Sequence, residues 1–413
     1  MLTSEQLNYL MEIERLVGQI RVTDTPCPPC ELPHIPAPSD VIQVTGENLR
    51  TAINAAPEGA ILDLMGKTFP QYLDIYKPLT LFNGAIIAPL ANVNDMVTIT
   101  APDVKLRDFK IFGDNASTKN GIVANGKGLD MKNVRVHDIG RPGQETHALV
   151  CWDGSHITAD DCTFHGGSMA ILFGGNGTTV PNHVPAENHF NNCILGRPIE
   201  WKGRFASKTI VEFKNCRNTK FTNCTLENNW QEGPQGHAIT ITASNYDGRS
   251  PETVTENLTF DNCRILNVNG GVYAIGHGQH HYDMTLDPLE PTLRGSNYQF
   301  LNCYWEISKA LNGGQGALFT TGYEPLNVLF EGNTHYGDGS AMMRIVDRRI
   351  GNGIVFRNNP RLQTGTYGVF SPLGSRGTNY KTQMLDSPME GNTFVGASSI
   401  FKSNFPSNTF VSA

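Results

Sequence analysis

The chain has 413 residues, 17% of them charged, with 42 glycines and a formal net charge of −7. A nucleic-acid partner calls for a basic patch or stripe, and a membrane-spanning helix for about 18 consecutive apolar residues; the sequence offers neither. By length it would fill two or three ordinary domains, but low charge with many Gly and Asn suits stacked strands joined by tight turns.

Residues 1–24, MLTSEQLNYLMEIERLVGQIRVTD, predict a helix capped by Thr3 or Ser4. Its start lacks the basic region, long apolar run and cleavage site of a secretory signal. Leu10, Ile13, Val17 and Ile20 are spaced 3, 4 and 3, the seam of a coiled coil, and the β-branched residues lean toward three strands. The helix is either this oligomerisation element or an amphipathic cap on its own chain; so short a helix is marginal alone and needs partners either way. Residues 25–40 form a stiff proline-rich linker containing CPPC, Cys27 to Cys30. In a trimer these thiols would form interchain disulfides or bind zinc with His34; alternatively they stay unpaired.

From Val41 to the end of the chain, strand signals dominate. The stretch VIQVTGENLRTAINAAPEGAILDLMGKTF reads as a strand, a short helix with Leu49, Ile53 and Ala56 inward, and a turn. A phrase then recurs: ITADDC ending at Cys162, HFNNC at Cys193, KFTNC at Cys224, TFDNC at Cys263, QFLNC at Cys303, and looser copies ending at Asn333 and Asn359. The steps are 31, 31, 39, 40, 30 and 26 residues. One coil of a parallel β-helix needs roughly two dozen residues in three short strands, and the surplus goes into loops on one face. The 39- and 40-residue coils therefore carry the longest loops. VEFKNC, ending at Cys216, reads as a further copy of the phrase. Equivalent cysteines in successive coils lie about 4.8 Å apart, so the five in phase predict a buried ladder of free thiols and folding in a reducing compartment. Phe394, Ile400, Phe401, Phe405 and Phe410 read as a closing cap.

The opening from Val41 resembles the cap and first coils of pectin-lyase-like right-handed β-helix proteins, over Val41 to about residue 400. The resemblance implies an all-β, single-stranded right-handed parallel β-helix solenoid and leaves function open, because this fold hosts lyases, hydrolases, epimerases and binding spikes.

Four sets of residues compete for chemistry. Glu212 and Lys214 look like the coil of alginate-type β-helix polysaccharide lyases. That resemblance implies a carboxylate helping to hold Ca2+ and a lysine abstracting the α-proton of a uronate. The arginine the family carries one coil later is missing from the strand Ala238 to Asn245, and the two residues also read as a simple ion pair. Apart from Ca2+ in that reading, no cofactor is expected. His277, His280, His281 and Asp283 lie in a glycine-flanked loop, as an acid–base or metal set or as surface groups. Asp160, Asp161, Glu200, Glu227, Glu232 and Asp247 are carboxylates available for glycoside hydrolysis. Trp152, Trp201, Trp230, Tyr246 and Tyr282 offer platforms for sugar stacking, with Trp305 and Tyr273 in the same aromatic set; all of them equally suit core filling.

A β-helix without an export signal, preceded by a helix and a stiff linker, looks like a bacteriophage tailspike, head spike or decoration protein. Such a protein is released by lysis, docks on phage capsid or tail proteins through its N-terminus, assembles as a homotrimer and binds host-surface polysaccharide. The alternative is a polysaccharide lyase or glycoside hydrolase, extracellular, with a cleft on the β-helix.

Overall fold

A computed structural model describes residues 41–89, 93–114, 117–175, 183–230, 236–244, 252–276, 292–308, 316–346, 353–370 and 387–412. Leu10, Ile13, Val17, Ile20, Cys27 and Cys30, and with them the helix and linker expected over residues 1–40, lie outside the described residues.

Strands stack in register, each on its equivalent one coil away, and all the pairings are parallel, as Phe190↔Phe221↔Phe260↔Phe300↔Phe330 illustrates. Each coil contributes to three faces. One is a separate sheet, here the face sheet, running from Leu73–Ile75 through Val211–Phe213 to Val369–Phe370. The other two are ribbons of a second sheet. Ribbon 1 includes Ala186–Asn191, Cys216–Thr222 and Thr255–Asp261; ribbon 2 includes Ile194–Gly196, Thr225–Asn229 and Arg264–Val268. The ribbons join through Thr80–Ile87 and Lys105–Phe112, eight-residue strands that run through the corner and pair on both sides of it.

The recurring phrase is the corner between the ribbons. Its Phe points inward at the end of ribbon 1, and its Asn adopts a left-handed backbone: φ is +53° at Asn192, +55° at Asn223, +53° at Asn262 and +54° at Asn302. That conformation turns the chain in one residue, and Asn tolerates it. In the coils ending at Asn333 and Asn392 a glycine takes over, with φ +70° at Gly332 and +65° at Gly391. The next residue points inward again. Where it is Cys, its thiol donates to a carbonyl one coil below: Cys193 to Ala159, Cys224 to Phe190, Cys263 to Phe221, at 3.4–3.5 Å. Where it is Asn, the amide takes the same place and does more. Asn333 Nδ2 donates to Phe300 O at 2.8 Å, and its Oδ1 accepts from the backbone N–H of Cys303 at 3.1 Å. The ladder continues through Asn359 and Asn392, satisfying backbone groups that would otherwise be buried unpaired. Cys151, Cys162, Cys193, Cys216, Cys224, Cys263 and Cys303 are all free and buried.

VEFKNC is a different place in the coil. Val211–Phe213 belongs to the face sheet, where Phe213 stacks on Phe173 at 5.2 Å, and Cys216 opens ribbon 1 beside Thr219. Its likeness to the corner phrase is local pattern only.

The inward phenylalanines form one continuous stack. Centroids of Phe190, Phe221, Phe260, Phe300, Phe330 and Phe356 are 4.8, 4.7, 5.6, 4.6 and 4.8 Å apart in turn. The ends are closed as expected. The helix Leu49–Ala55 buries Leu49 and Ile53, with Asn48 Oδ1 accepting from Thr51 N–H. At the other end the helix Ser399–Asn404 drives Phe401 against Phe394 at 4.9 Å. Phe405 and Phe410 pack beside them; the Ile400 side chain lies outside the described residues.

Phe260 has a ring on either side and is fully buried. Phe260→Ala should therefore remove about 3–5 kcal/mol of stability, read as a lower denaturant midpoint with the same circular dichroism at zero denaturant.

Candidate functional site

The corner between the ribbons uses few residues, two in most coils, as between Asn191 and Ile194 or Asp261 and Arg264. The long segments instead adjoin the face sheet. They follow Phe173, Thr242 and Ile275, and they precede Val211, Ile239 and Phe319. The strands of the face sheet are thus the ones the insertions adjoin in sequence, which makes the outward side of that sheet the candidate site.

Register fixes what stands there. Val211 and Phe213 belong to the core, so Glu212 between them faces outward. Its row reads Val150, Leu172, Glu212, Thr240, Tyr273 and Thr320. Although outward, the row is buried: Glu212 is 1% exposed. Lys208 Nζ lies 3.0 Å from Glu212 Oε2, and Lys214 Nζ lies 3.0 Å from Oε1. Lys208 also reaches the exposed Glu145 at 3.1 Å. Burial works against a charged Glu212, yet the two ammonium groups hold its pKa below the usual carboxylate range. Burial likewise opposes a charged Lys208, and Glu212 outweighs it, so Lys208 is held above the usual lysine value.

Glu212 and Lys214, the pair singled out from the sequence, are ion-paired within this network. Lys208, held protonated, is an electrostatic group and a poor base. Ca2+ takes six to eight oxygen ligands, and both Glu212 oxygens already face ammonium groups, so these residues do not fit the ion. A buried charge network adds little stability over an apolar replacement.

Two neighbours of this site carry no sequence motif. His147 is 3% exposed, and Asn120 Oδ1 accepts from its Nδ1 at 2.7 Å; Asn120 Nδ2 in turn donates to Asp95 Oδ1 at 2.7 Å. Burial pushes His147 down to about 3, with Glu212 pulling the other way, so its ring is neutral at neutral pH. Its Nε2 is buried without a hydrogen-bond partner. The strip continues to a cleft of about 400 Å³ over the first coils, lined by Tyr72, Asp74, Asn94, Asp95 and Thr98. Arg50 stacks on the Tyr72 ring, 3.6 Å from its centroid.

Trp201 and Trp230 are 5% and 1% exposed, packed with Phe205 in a small cluster of their own. Indoles so covered present no face to a sugar, a correction to their reading as stacking platforms. Their size makes them the filling beneath the segment before Val211. Trp305 and Tyr273 are buried as well, and Trp152 is half-buried. Asp160 and Asp161 serve the corner ladder, accepting from Asn191 and Asn192. Glu200 is exposed, and Glu227 lies on ribbon 2 with its pKa raised by burial. Tyr246, Tyr282, His277, His280, His281, Asp283, Glu232 and Asp247 lie outside the described residues. Among the described residues no three His, Cys, Asp or Glu converge as a metal site, and no helix is long and apolar enough to cross a membrane.

A family model described as "Right handed beta helix region" matches residues 120–282. The molecule is a right-handed parallel β-helix. No curated protein matches it in sequence. Among solved structures it is similar to the Dettilon tailspike protein, at 11% identity and a TM-score of 0.55, over 81% of this chain and 68% of that one. It is similar to a mutant tailspike protein of E. coli bacteriophage HK620, at 14% identity and a TM-score of 0.50, over 90% and 75%. It is also similar to the periplasmic alginate epimerase AlgG, at 7% identity and a TM-score of 0.51, over 86% and 76%. For tailspike protein 2 of E. coli O157:H7 bacteriophage CAB120 the chain spans 48% of that protein's length. At these identities the likeness is one of fold.

Glu212→Gln leaves two ammonium groups around a neutral amide and should cost about 3 kcal/mol or more of stability, measured by denaturant titration. The buried imidazoles give a second test. His147 and His335 take a proton near 6.5 when unfolded and near 3 when folded, because burial excludes the charged form. Between those values the unfolded chain binds more protons, so their contribution is complete above about pH 6.5 and falls as pH drops toward 3. Glu212, with its lowered pKa, adds a loss in the same direction at the acid end. His335 sits in register between Trp305 and Leu362, where Leu fits. Melting temperatures of His335→Leu should decline less steeply with acid than those of the parent.

Proposed function

We propose that this chain is a tailspike-like β-helix of a phage particle that binds host-surface polysaccharide over the open first coils of its face sheet, at the cleft beside Tyr72. The observation that carries the reading is that cleft, with the exposed Tyr72 and with Asp74 and Asp95, on the sheet whose strands the insertions adjoin in sequence, on a fold of the tailspike kind. An extended polysaccharide suits such a strip because successive coils offer it equivalent positions about 4.8 Å apart. The charge states favour binding over catalysis: Glu212 is neutralised, Lys208 holds its proton, and His147 is a weak base.

The enzymatic alternative, a polysaccharide lyase or hydrolase, draws its support from His147, whose buried, unpartnered Nε2 lies within the electrostatic reach of Glu212. Assembly through residues 1–24 as a homotrimer, and docking on capsid or tail proteins, belong to the same proposal.

Light scattering on the full chain and on a chain beginning at Val41 tests the assembly. A trimer that becomes a monomer on truncation supports the spike reading, and monomers in both overturn the trimer. Incubation with bacterial surface polysaccharides tests the activity. Retention without shortening fits binding; shortened chains, lost in His147→Ala, move the protein to the enzymatic reading.

A further inference from the structure

A second cleft lies away from the face sheet, and its chemistry differs. It opens at the corner between the two ribbons, over the strands Thr80–Ile87 and Lys105–Phe112, with a volume of about 410 Å³. These coils are the short ones: Ala85, Lys110 and Arg135 follow one another at steps of 25 residues and stand in register. In strands this regular, outward positions recur every second residue. One outward column therefore reads Thr68, Ala85, Lys110, Arg135, and the next reads Ile87, Phe112, His137.

Small residues make the floor. Gly66, Gly84 and Ala85 line it, and a Cβ on Gly84 would fall 2.4 Å from Leu64 Cβ, so no larger residue fits there. Phe112 forms an aromatic wall, half-buried and stacked on His137 at 6.1 Å with planes 21° apart. The corner residues Asn83, Asp108 and Asn133 form the opposite wall, all in the left-handed conformation. Asn133 Nδ2 donates to Asp108 Oδ1 at 2.6 Å and Asn83 Nδ2 to Asp63 Oδ1 at 3.0 Å, which fixes both amides. Their Oδ1 atoms accept no hydrogen bond among the described residues.

Lys110 and Arg135 set the charge. Lys110 is exposed and makes no ion pair among the described residues. Arg135 is held by the carbonyls of Val134 and Asp161. Among the lining residues the one carboxylate is Asp108, already engaged by Asn133. On a chain of net charge −7 this cleft is locally cationic. The two cations are felt at His137, where burial lowers the pKa first and Arg135 and Lys110 lower it further against Asp138.

An aromatic face, oriented amides, a small-residue floor and two cations together match one kind of ligand. We propose that this cleft binds a carboxylate-bearing sugar residue of an acidic polysaccharide. Lys110 and Arg135 take the carboxylate, Phe112 lies against the ring's C–H face, and the Asn83 and Asn133 amides take hydroxyls. A bare inorganic anion would use the cations and leave Phe112 idle; a neutral glycan would leave the cations idle. The inference rests on the reading of the chain as a polysaccharide binder and places a second, charge-selective contact on a different face.

The test is calorimetric titration of the full chain with oligogalacturonate, oligomannuronate and oligosialic acid, with neutral dextran oligosaccharides and inorganic phosphate as comparisons. At least one acidic oligosaccharide should bind, more weakly at high salt. Lys110→Ala with Arg135→Ala should weaken it about tenfold or more, and Phe112→Ala should weaken it too. Lys105→Ala, exposed on the same strand outside the cleft, should change nothing. Unaltered melting curves show that the variants fold. Full-strength binding in the Lys110/Arg135 variant overturns this inference and leaves the polysaccharide reading standing. So does equal affinity for dextran. Phosphate binding that needs both cations, with no acidic oligosaccharide bound, makes the cleft a simple anion site and overturns the inference. Binding of no ligand at all, to any face, overturns both readings.

Discussion

The structure depends on a corner that turns in one residue. Two strands meet there, and the chain can keep both in register with the coil below only if one residue accepts the left-handed conformation. Asn, Asp or Gly does so in coil after coil. The tight turn leaves backbone groups inside with no strand partner. Thiols and then amides, stacked at the same position, meet them. A ring stack beside the corner fills the rest of the interior. Turn, ladder and stack are one device, and because it repeats, the whole solenoid inherits its geometry.

A corner this economical has a functional consequence. It admits no insertions, so extra residues accumulate at the other two corners, flanking the face sheet. The outward row of that sheet is buried, and a carboxylate placed on it must be neutralised within the chain. Lys208 and Lys214 do this for Glu212. The short early coils show the opposite regime. With no insertion above them, their outward columns stay open, and side chains two residues apart stand side by side over a floor of glycine and alanine.

Some features could be misread for physical reasons. VEFKNC and TKFTNC share a pattern because both describe a strand entering a turn, yet one belongs to the face sheet and the other to the ribbons. A tryptophan in a polar stretch reads as exposed, but Trp201 and Trp230 pack with Phe205 and both are buried. Glu212 and Lys214 were legible as a same-face pair by alternation alone. That they are buried was not legible, because burial depends on residues far away in the chain.

By itself the sequence determined the solenoid: a strand phrase repeated at coil spacing, with turn-forming residues at one phase, has few other ways to bury its apolar face. It also determined the free-thiol ladder, since equivalent positions in successive coils must stack, and the capping helix, whose apolar spacing is local. Only the tertiary structure decided the sites. His147 meets the field of Glu212 from 65 residues away, and Thr68, Lys110 and Arg135 share one cleft across four coils. Such groupings arise from register between coils, and register is set by pairing along the solenoid axis, at right angles to the direction in which the sequence is read.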